Sequence, residues 1–359
     1  MMRLIKVFIV IFLASASSCI SDIDLQTPPD VDNLLSIQAK LTRGTPHNFF
    51  ASIGKVFDFG GQSAPIRVRS VTLANDLGQE LVIPNTATET YELDIPVDSD
   101  EFAIEDFMSF NLVVETSDGR VYTSTFEQLL PVAQIEQLNV EVVTELEEQQ
   151  TIIGGLAEVQ KAQISVTTPT TVPGSNDPAR FRWTFQEVFL QTDTPPDGSD
   201  PKSCYVTQGI GALVETTFDA ALTGLNRLDD FPIFINNINF NYAEGNYFIA
   251  LQHSLTPTAF TYFNSVSEVI SRDASIFNSP AGRVQSNFTN LADSDDEVFG
   301  YFFATNIDTA RLFIDPEVVG SPRNLCPVMS MRPTDCPSAA CCDCLDQENS
   351  TLEQPIWWM

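Results

Sequence analysis

The side chains that most often carry out catalysis are scarce in this chain of 359 residues. Its two histidines are His47 and His253, so a serine–histidine–aspartate or cysteine–histidine arrangement would have to use one of them. His47 lies in a Thr-Pro turn and His253 ends a predicted strand, so we interpret both as ordinary surface or strand-end residues. The sequence contains no GxSxG nucleophile elbow, P-loop or HExxH motif. We therefore predict that the protein is not an enzyme.

Carboxylates, by contrast, are abundant, with 48 aspartates and glutamates. A glycoside hydrolase needs a pair of them, but so many acids make such pairs uninformative, and hydrolysis is the less favoured alternative. Two acidic loops offer the oxygen ligands that calcium prefers, although neither follows the EF-hand pattern. These calcium candidates are Asp193, Asp197 and Asp200 in one loop and Asp293, Asp295 and Asp296 in the other. Solvated loops are the favoured interpretation, so we predict no metal and no cofactor, with structural calcium as the alternative.

The chain has seven cysteines, and in an exported protein an even number of them favours disulfides over free thiols. If Cys19 carries a lipid, an even number remains, and these are the disulfide candidates: Cys204, Cys326, Cys336, Cys341, Cys342 and Cys344. Their spacing in the tail does not fit common zinc motifs, so we favour disulfides over metal or free thiols. Six cysteines allow about 15 pairings, and the sequence does not choose among them.

The first 19 residues predict a lipid anchor. Arg3 and Lys6 precede a short apolar run over 7–14, and small residues then lead to Cys19. This order resembles a bacterial lipobox, in which residues 1–18 are a signal peptide and Cys19 is acylated. The alternative is an ordinary secretory signal cleaved elsewhere, and the apolar run is too short for a spanning helix. Residues 19–33 read as an acidic tether, whose early aspartates are a weak indication of display on the cell surface.

The overall charge limits the partners of the chain. The formal net charge is −30, so nucleic acid and anionic lipid surfaces should be repelled. Aromatic residues make up 10% of the chain and include 26 phenylalanines, enough to build real cores in about two domains.

Alternation of apolar and polar residues predicts a mainly β fold. Residues 34–131 read as an immunoglobulin-like β-sandwich, with strands at 35–41 and 110–114 and hairpin turns at 76–79 and 118–119. A shift of apolar parity between Val68 and Val71 predicts a β-bulge or a bend.

Residues 132–320 read as a second β-rich, sandwich-like domain with one helical insertion near 257–271. Thr256 is placed to cap this helix and Pro257 to begin it. We also predict a hairpin between 238–242 and 247–251, and two separate strands at 298–304 and 310–314. A Cys-rich tail at 321–359 ends in Trp357 and Trp358, of which only one can easily enter a core if the segment is extended.

The order of these features resembles one known family. The features are the lipobox, the first sandwich, Phe181-Arg182-Trp183, the helix near Pro257, the segment Phe277 to Pro280, Phe299-Gly300-Tyr301-Phe302 and the terminal Cys341-Cys342-Asp343-Cys344 followed by aromatics. Together they resemble the Bacteroidota lipoproteins catalogued as domain of unknown function 4249. That family has no established activity. The resemblance implies an outer-membrane or surface lipoprotein, often encoded beside TonB-dependent receptors.

From these features we expect a lipid-anchored, surface-exposed β protein of the outer membrane. The favoured role is a non-enzymatic binding or accessory component, serving a TonB-dependent nutrient-uptake receptor by analogy with the family. The main alternative is an adhesive or structural surface module.

Overall fold

The computed structural model describes residues 34–55, 66–84, 91–148, 155–197, 199–211, 216–270, 284–326, 336 and 338–358. The predicted signal peptide, Cys19, the tether and the segment 277–280 lie outside the described residues. Within the described part of the chain, no helix is both long enough and apolar enough to cross a bilayer.

The predicted mainly β fold is confirmed. The strands of the first half are β1 (Leu35–Arg43), β2 (Asn48–Lys55), β3 (Val68–Asn75), β4 (Glu80–Ile83), β5 (Tyr91–Pro96), β6 (Ser109–Thr116), β7 (Val121–Ser124) and β8 (Glu127–Gln128). Both predicted hairpin turns form, between β3 and β4 and between β6 and β7. The predicted bulge is also present, as a register shift between Val68 and Ser70 against β6.

The second half contains longer strands and the helices. The strands are β9 (Gln137–Glu148), β10 (Leu156–Pro169), β11 (Arg180–Thr192), β12 (Ser203–Ile210), β13 (Thr216–Asp219), β14 (Arg227–Asn237), β15 (Asn246–Ser254), β16 (Phe288–Asn290), β17 (Val298–Phe299), β18 (Phe302–Ile314) and β19 (Ser350–Thr351). The helices are α1 (Ala220–Thr223), α2 (Pro257–Ile270) and α3 (Ala339–Cys342). Short 3₁₀ turns lie at Phe240–Tyr242 and Cys344–Asp346.

These strands form three sheets. A ten-stranded sheet has the order β19-β12-β11-β15-β18-β1-β2-β5, with β13 on β11 and β17 on β1. A six-stranded sheet has the order β16-β7-β6-β3-β4, with β8 on β6, and a three-stranded sheet has the order β14-β10-β9. The largest sheet therefore runs through both halves of the chain, joined where β1 pairs in parallel with β18.

Three hydrophobic clusters form among the described residues, and the two larger ones lie between this large sheet and the smaller sheets. In the first, β1, β2 and β5 pack on the six-stranded sheet, and the later residues Phe288, Val298 and Phe302 complete it. In the second, Trp183, Phe185 and other aromatics of β11 and β15 pack on the three-stranded sheet. The division predicted near residue 131 follows β8 and falls between the two cores, while strand pairing crosses it.

The predicted hairpin over 238–251 is wrong. Residues 240–242 form a 3₁₀ turn, which begins where the side chain of Asn239 accepts a hydrogen bond from the backbone N–H of Asn241, at 2.9 Å. Strand β15 instead pairs with β11 and β18. Asparagine can satisfy a local backbone donor in this way, which favours a turn over an alternating strand.

The two strands predicted at 298–304 and 310–314 are also differently arranged. Residues 302–314 form one continuous strand, β18, and the break lies earlier, at Gly300. Gly300 has a φ of +90°, a conformation that glycine adopts readily, and β17 and β18 both pair with β1 on either side of it.

Replacing Gly300 with alanine should destabilise the fold strongly. A Cβ atom there would lie 2.1 Å from the backbone oxygen of Ile37, and the positive φ adds strain. We expect a loss of about 3 kcal/mol or more in the free energy of unfolding, measured by urea titration. Gly78→Ala is the matched control, because Gly78 has a φ of +76° with no heavy atom within 4 Å of the added Cβ. Equal losses in the two variants would contradict the steric argument.

The Cys-rich tail is held by three disulfides, Cys204–Cys344, Cys326–Cys341 and Cys336–Cys342. The tail ends in a turn, closed by a hydrogen bond from Trp358 N–H to the Pro355 carbonyl at 2.9 Å, so it is not extended there. Both tryptophans therefore reach the same ring of Tyr247, with centroids 5.0 and 4.9 Å away. We expected only one of the two tryptophans to enter a core if the end of the chain were extended. Because the end forms a turn, that expectation does not apply.

Candidate functional site

Helix α2 covers part of the outer face of the ten-stranded sheet and leaves a cavity of about 330 Å³ beneath it. The helix forms as the sequence predicts, because Thr256 Oγ1 accepts a hydrogen bond from the Ala259 N–H at 3.1 Å and caps it. The cavity is lined by Gln38, Ala39, Lys40, Phe50, Arg182, Thr184, His253, Tyr262, Phe263, Val266, Tyr301 and Phe303. We call this space the α2 cavity.

Strand register brings the polar residues of the α2 cavity together. Arg182 on β11 lies directly opposite His253 on β15, and Lys40 on β1 lies opposite Phe303 on β18. Because alternate residues of a strand share one face, Thr184 lies on the same face as Arg182. Residues distant in sequence thus form one cationic wall.

The two cations of this wall influence each other. Burial lowers the pKa of Lys40, the charge of Arg182 lowers it further, and the carboxylate of Asp94 partly opposes both. The Arg182 guanidinium carbon lies 4.3 Å from the ring centroid of Phe263 on α2, a cation–π contact. The lining residues include no aspartate or glutamate. In a chain of net charge −30, the α2 cavity is therefore a local site for negative charge.

His253 is one residue from the end of β15, as expected, but it is only 2% exposed rather than a surface residue. Its Nε2 lies 3.0 Å from Thr184 Oγ1, while its Nδ1 is buried and has no hydrogen-bond partner. Burial lowers the pKa of His253 well below its usual value, and the charges of Arg182 and Lys40 lower it further. The imidazole is therefore neutral at neutral pH.

This buried histidine should make the protein less stable in mild acid. An unfolded histidine takes up a proton below a pH of about 6.5, whereas His253 in the folded state does not, so acidification favours unfolding. Between pH 7.5 and 5.5 the contribution is about 1.4 kcal/mol, provided that the folded-state pKa stays below this window. Urea unfolding at both pH values should show that His253→Gln loses this contribution and His47→Gln keeps it. An unchanged pH dependence in His253→Gln would refute the assignment.

Glu127 fixes helix α2 to the first core. Its buried carboxylate accepts hydrogen bonds from Thr258 Oγ1 at 3.0 Å, from Tyr301 Oη at 2.5 Å and from Thr256 Oγ1. Burial raises the pKa of Glu127, and these hydroxyl donors oppose the rise. Thr256 and Thr258 lie at the start of α2, and Tyr301 lines the α2 cavity. Hydrogen bonds to the Glu127 carboxylate on β8 therefore hold the helix in position.

A second cavity, of about 410 Å³, shares Tyr262 and Tyr301 with the first. These two rings stack with centroids 4.6 Å apart. The rest of its lining consists mainly of hydroxyl and amide side chains: Thr125, Thr258, Thr261, Ser265, Gln285, Ser286 and Asn287. It has no charged lining residue, which makes the α2 cavity the more selective of the two.

The aspartates of the first predicted calcium loop have individual structural contacts. Asp193 is buried and accepts from the backbone N–H groups of Lys202, at 2.7 Å, and Cys344, at 3.3 Å. Asp197 accepts from the N–H of Ser199 at 2.9 Å, and Asp200 is exposed. Asp193 thus joins this loop to the Cys-rich tail, and Asp197 stabilises a local turn.

The second predicted loop behaves similarly. Asp293 accepts from the N–H of Asp295 at 3.1 Å, while Asp296 accepts from Tyr122 Oη at 2.8 Å and from Asn290 Nδ2 at 2.7 Å. Asp296 therefore joins this loop to the first core.

Within the described ranges, one group of three potential metal ligands forms: Asp193, Asp343 and Cys344. It does not suit a cation well, because the Cys344 sulfur is in a disulfide and Lys202 Nζ already lies 2.8 Å from Asp343 and 3.9 Å from Asp193. Only Asp193 of the six calcium candidates belongs to this group.

Sequence reasoning missed Lys40 and Arg182 as site residues. Each occupies an outward position of an alternating strand, which by itself predicts only a polar face. The rarity of cations, 18 in the whole chain, could have drawn attention to them, but their convergence depends on pairing between distant strands.

Comparison with known proteins gives one positive result. A family model described as a domain of unknown function, DUF4249, matches residues 20–311, which is most of the chain. No curated protein matches the chain, and no solved structure matches it.

Proposed function

Because the chain belongs to the family described as domain of unknown function DUF4249, we propose that it is a lipid-anchored, non-enzymatic binding or accessory protein displayed on the outer membrane. The observation that carries the binding role is the α2 cavity, with its cationic wall and aromatic lining. Cavities of this kind, largely apolar with a few placed polar groups, are typical of small-molecule sites.

Export and anchoring are supported by two independent features. Residues 1–19 have the order of a lipoprotein signal ending at Cys19. The other six cysteines are all paired in disulfides, which form and persist in compartments outside the cytosol. The Bacteroidota outer membrane as the location, and a TonB-dependent receptor as the partner, are part of the proposal and rest on the family resemblance.

The chemistry of the α2 cavity favours binding over hydrolysis. A glycoside hydrolase uses two carboxylates at the cleaved bond, and the lining of this cavity contains none. Thr184 and His253 lie within hydrogen-bond distance, but His253 Nδ1 has no partner to orient the ring. Because the pKa of His253 is also lowered, it is a weak base.

The partner can be tested by affinity capture of the tagged protein from intact outer membranes after mild detergent extraction. We expect an outer-membrane receptor to copurify with the wild-type protein. The control is the Trp357→Ala variant, which disturbs the tail and leaves the signal sequence and the α2 cavity unchanged. Extraction of the wild-type protein without any partner would contradict the accessory role and favour an adhesive module.

A further inference from the structure

We propose that the α2 cavity binds a small organic carboxylate with a flat, apolar body, such as an aromatic acid. This inference deepens the proposed function by naming the ligand class of the same site. The charge, the apolar walls and the polar groups of the cavity support this ligand class.

The charge of the wall selects an anion. Among the described residues, no carboxylate oxygen lies within 4.0 Å of Lys40 Nζ, and Lys40 faces the cavity beside Arg182. Two partly desolvated cations repel each other, and a ligand carboxylate between them would offset this repulsion. Burial and the charge of Arg182 both lower the pKa of Lys40, which agrees with this repulsion.

The remaining walls select an apolar body. Phe50, Phe303, Phe263 and Val266 line the cavity from the sheet and from the helix, and Tyr262 and Tyr301 add flat ring surface. Aromatic walls favour ring-shaped ligands through stacked and edge contacts. A volume of about 330 Å³ lies at the small end of ligand pockets, which favours a compact acid over a nucleotide or an oligosaccharide.

Unused hydrogen-bonding capacity provides a second indication of a ligand. His253 is 2% exposed, lines the cavity and leaves its Nδ1 unpaired, although buried polar atoms are usually hydrogen-bonded. Gln38 also lines the cavity, and its side-chain amide can donate to a carboxylate oxygen. The polar groups thus cluster on the sheet, while the helix side is apolar apart from the Tyr262 hydroxyl.

Calorimetric titration of the detergent-solubilised full chain with trans-cinnamate tests the proposal. Cinnamamide has the same shape without the charge, acetate has the charge without the ring, and inorganic phosphate is a different anion. We expect cinnamate to bind and each of the other three to bind about ten-fold more weakly or worse. Heat from injection into detergent alone is subtracted.

Two pairs of variants locate the binding. Lys40→Gln should weaken cinnamate binding by about ten-fold or more, while Lys161→Gln, which removes the same charge from β10 and not from the cavity, should not. Val266→Trp should fill the cavity and abolish binding, while Val269→Trp, on an exposed position of the same helix, should not. A thermal melt of each variant confirms that it is folded. If Lys40→Gln unfolds, the valine pair still decides the location.

Equal affinity for cinnamate and cinnamamide would overturn the proposal, as would tighter binding of phosphate or unchanged binding in Val266→Trp. Absence of cinnamate binding at millimolar concentration would also overturn it. That result would not contradict the proposed membrane anchor or the proposed partner, because both are tested in separate experiments on membranes. Loss of anchoring with cinnamate binding retained would instead overturn the proposed function alone.

Discussion

We expect the Cys19→Ala variant to be recovered in the soluble fraction and the wild-type protein to be recovered with membranes. Each acyl CH₂ group buried in a bilayer contributes about 0.8 kcal/mol, so loss of the predicted acylation site should remove the main membrane attraction. The described residues offer no spanning helix to replace it, and a chain of net charge −30 is repelled by anionic lipid.

Cell fractionation and immunoblotting measure this effect. Ser18→Ala is the control, since it keeps a small residue before the cysteine and should leave the protein on the membrane. Membrane retention of Cys19→Ala would refute the lipobox and favour a different anchor.

Removing the Cys204–Cys344 disulfide should cause the largest loss of stability among the three bridges. This bond joins residues 140 apart in sequence, and closing a loop of that size in the unfolded chain corresponds to about 5 kcal/mol in the chain-entropy model. Both cysteines are fully buried, and the bond fixes the 3₁₀ turn of the tail to β12. The Cys204→Ser and Cys344→Ser double variant removes the bond without leaving one free thiol.

The other two disulfides close shorter loops, so their removal should cost less stability. Their separations of 15 and 6 residues correspond to about 3 and 2 kcal/mol in the same model. Urea unfolding without reductant should therefore rank the three double variants in this order. A loss for Cys336–Cys342 equal to that for Cys204–Cys344 would contradict the loop-length explanation.

Mass spectrometry of the alkylated, non-reduced protein tests whether all three disulfides are formed. We expect no free thiol among the six later cysteines. Two or more free thiols would show that the tail is not fully bridged.

The sequence alone predicted those parts of the structure that depend on neighbouring residues. Alternation over 35–41 placed β1, the Asp118-Gly119 pair placed a hairpin, and Thr256 with Pro257 placed the start of α2. Side chains repeat every two residues along a strand and about once per turn along a helix, so the pattern that predicts each element lies within a few neighbouring residues. The hairpin over 238–251 failed because asparagine side chains form a turn there, and apolar periodicity does not report side-chain capping.

What the sequence predicts about the function is its setting: a signal peptide that precedes an acylated Cys19, cysteines suited to disulfides, and a strongly acidic chain without a recognisable catalytic motif. Only the tertiary structure decided which cysteines pair and where a ligand can bind. Lys40 and Arg182 are brought to one cavity by the pairing of β1 with β18 and of β11 with β15. Such pairings depend on the packing of segments far apart in the chain, and no local pattern records them.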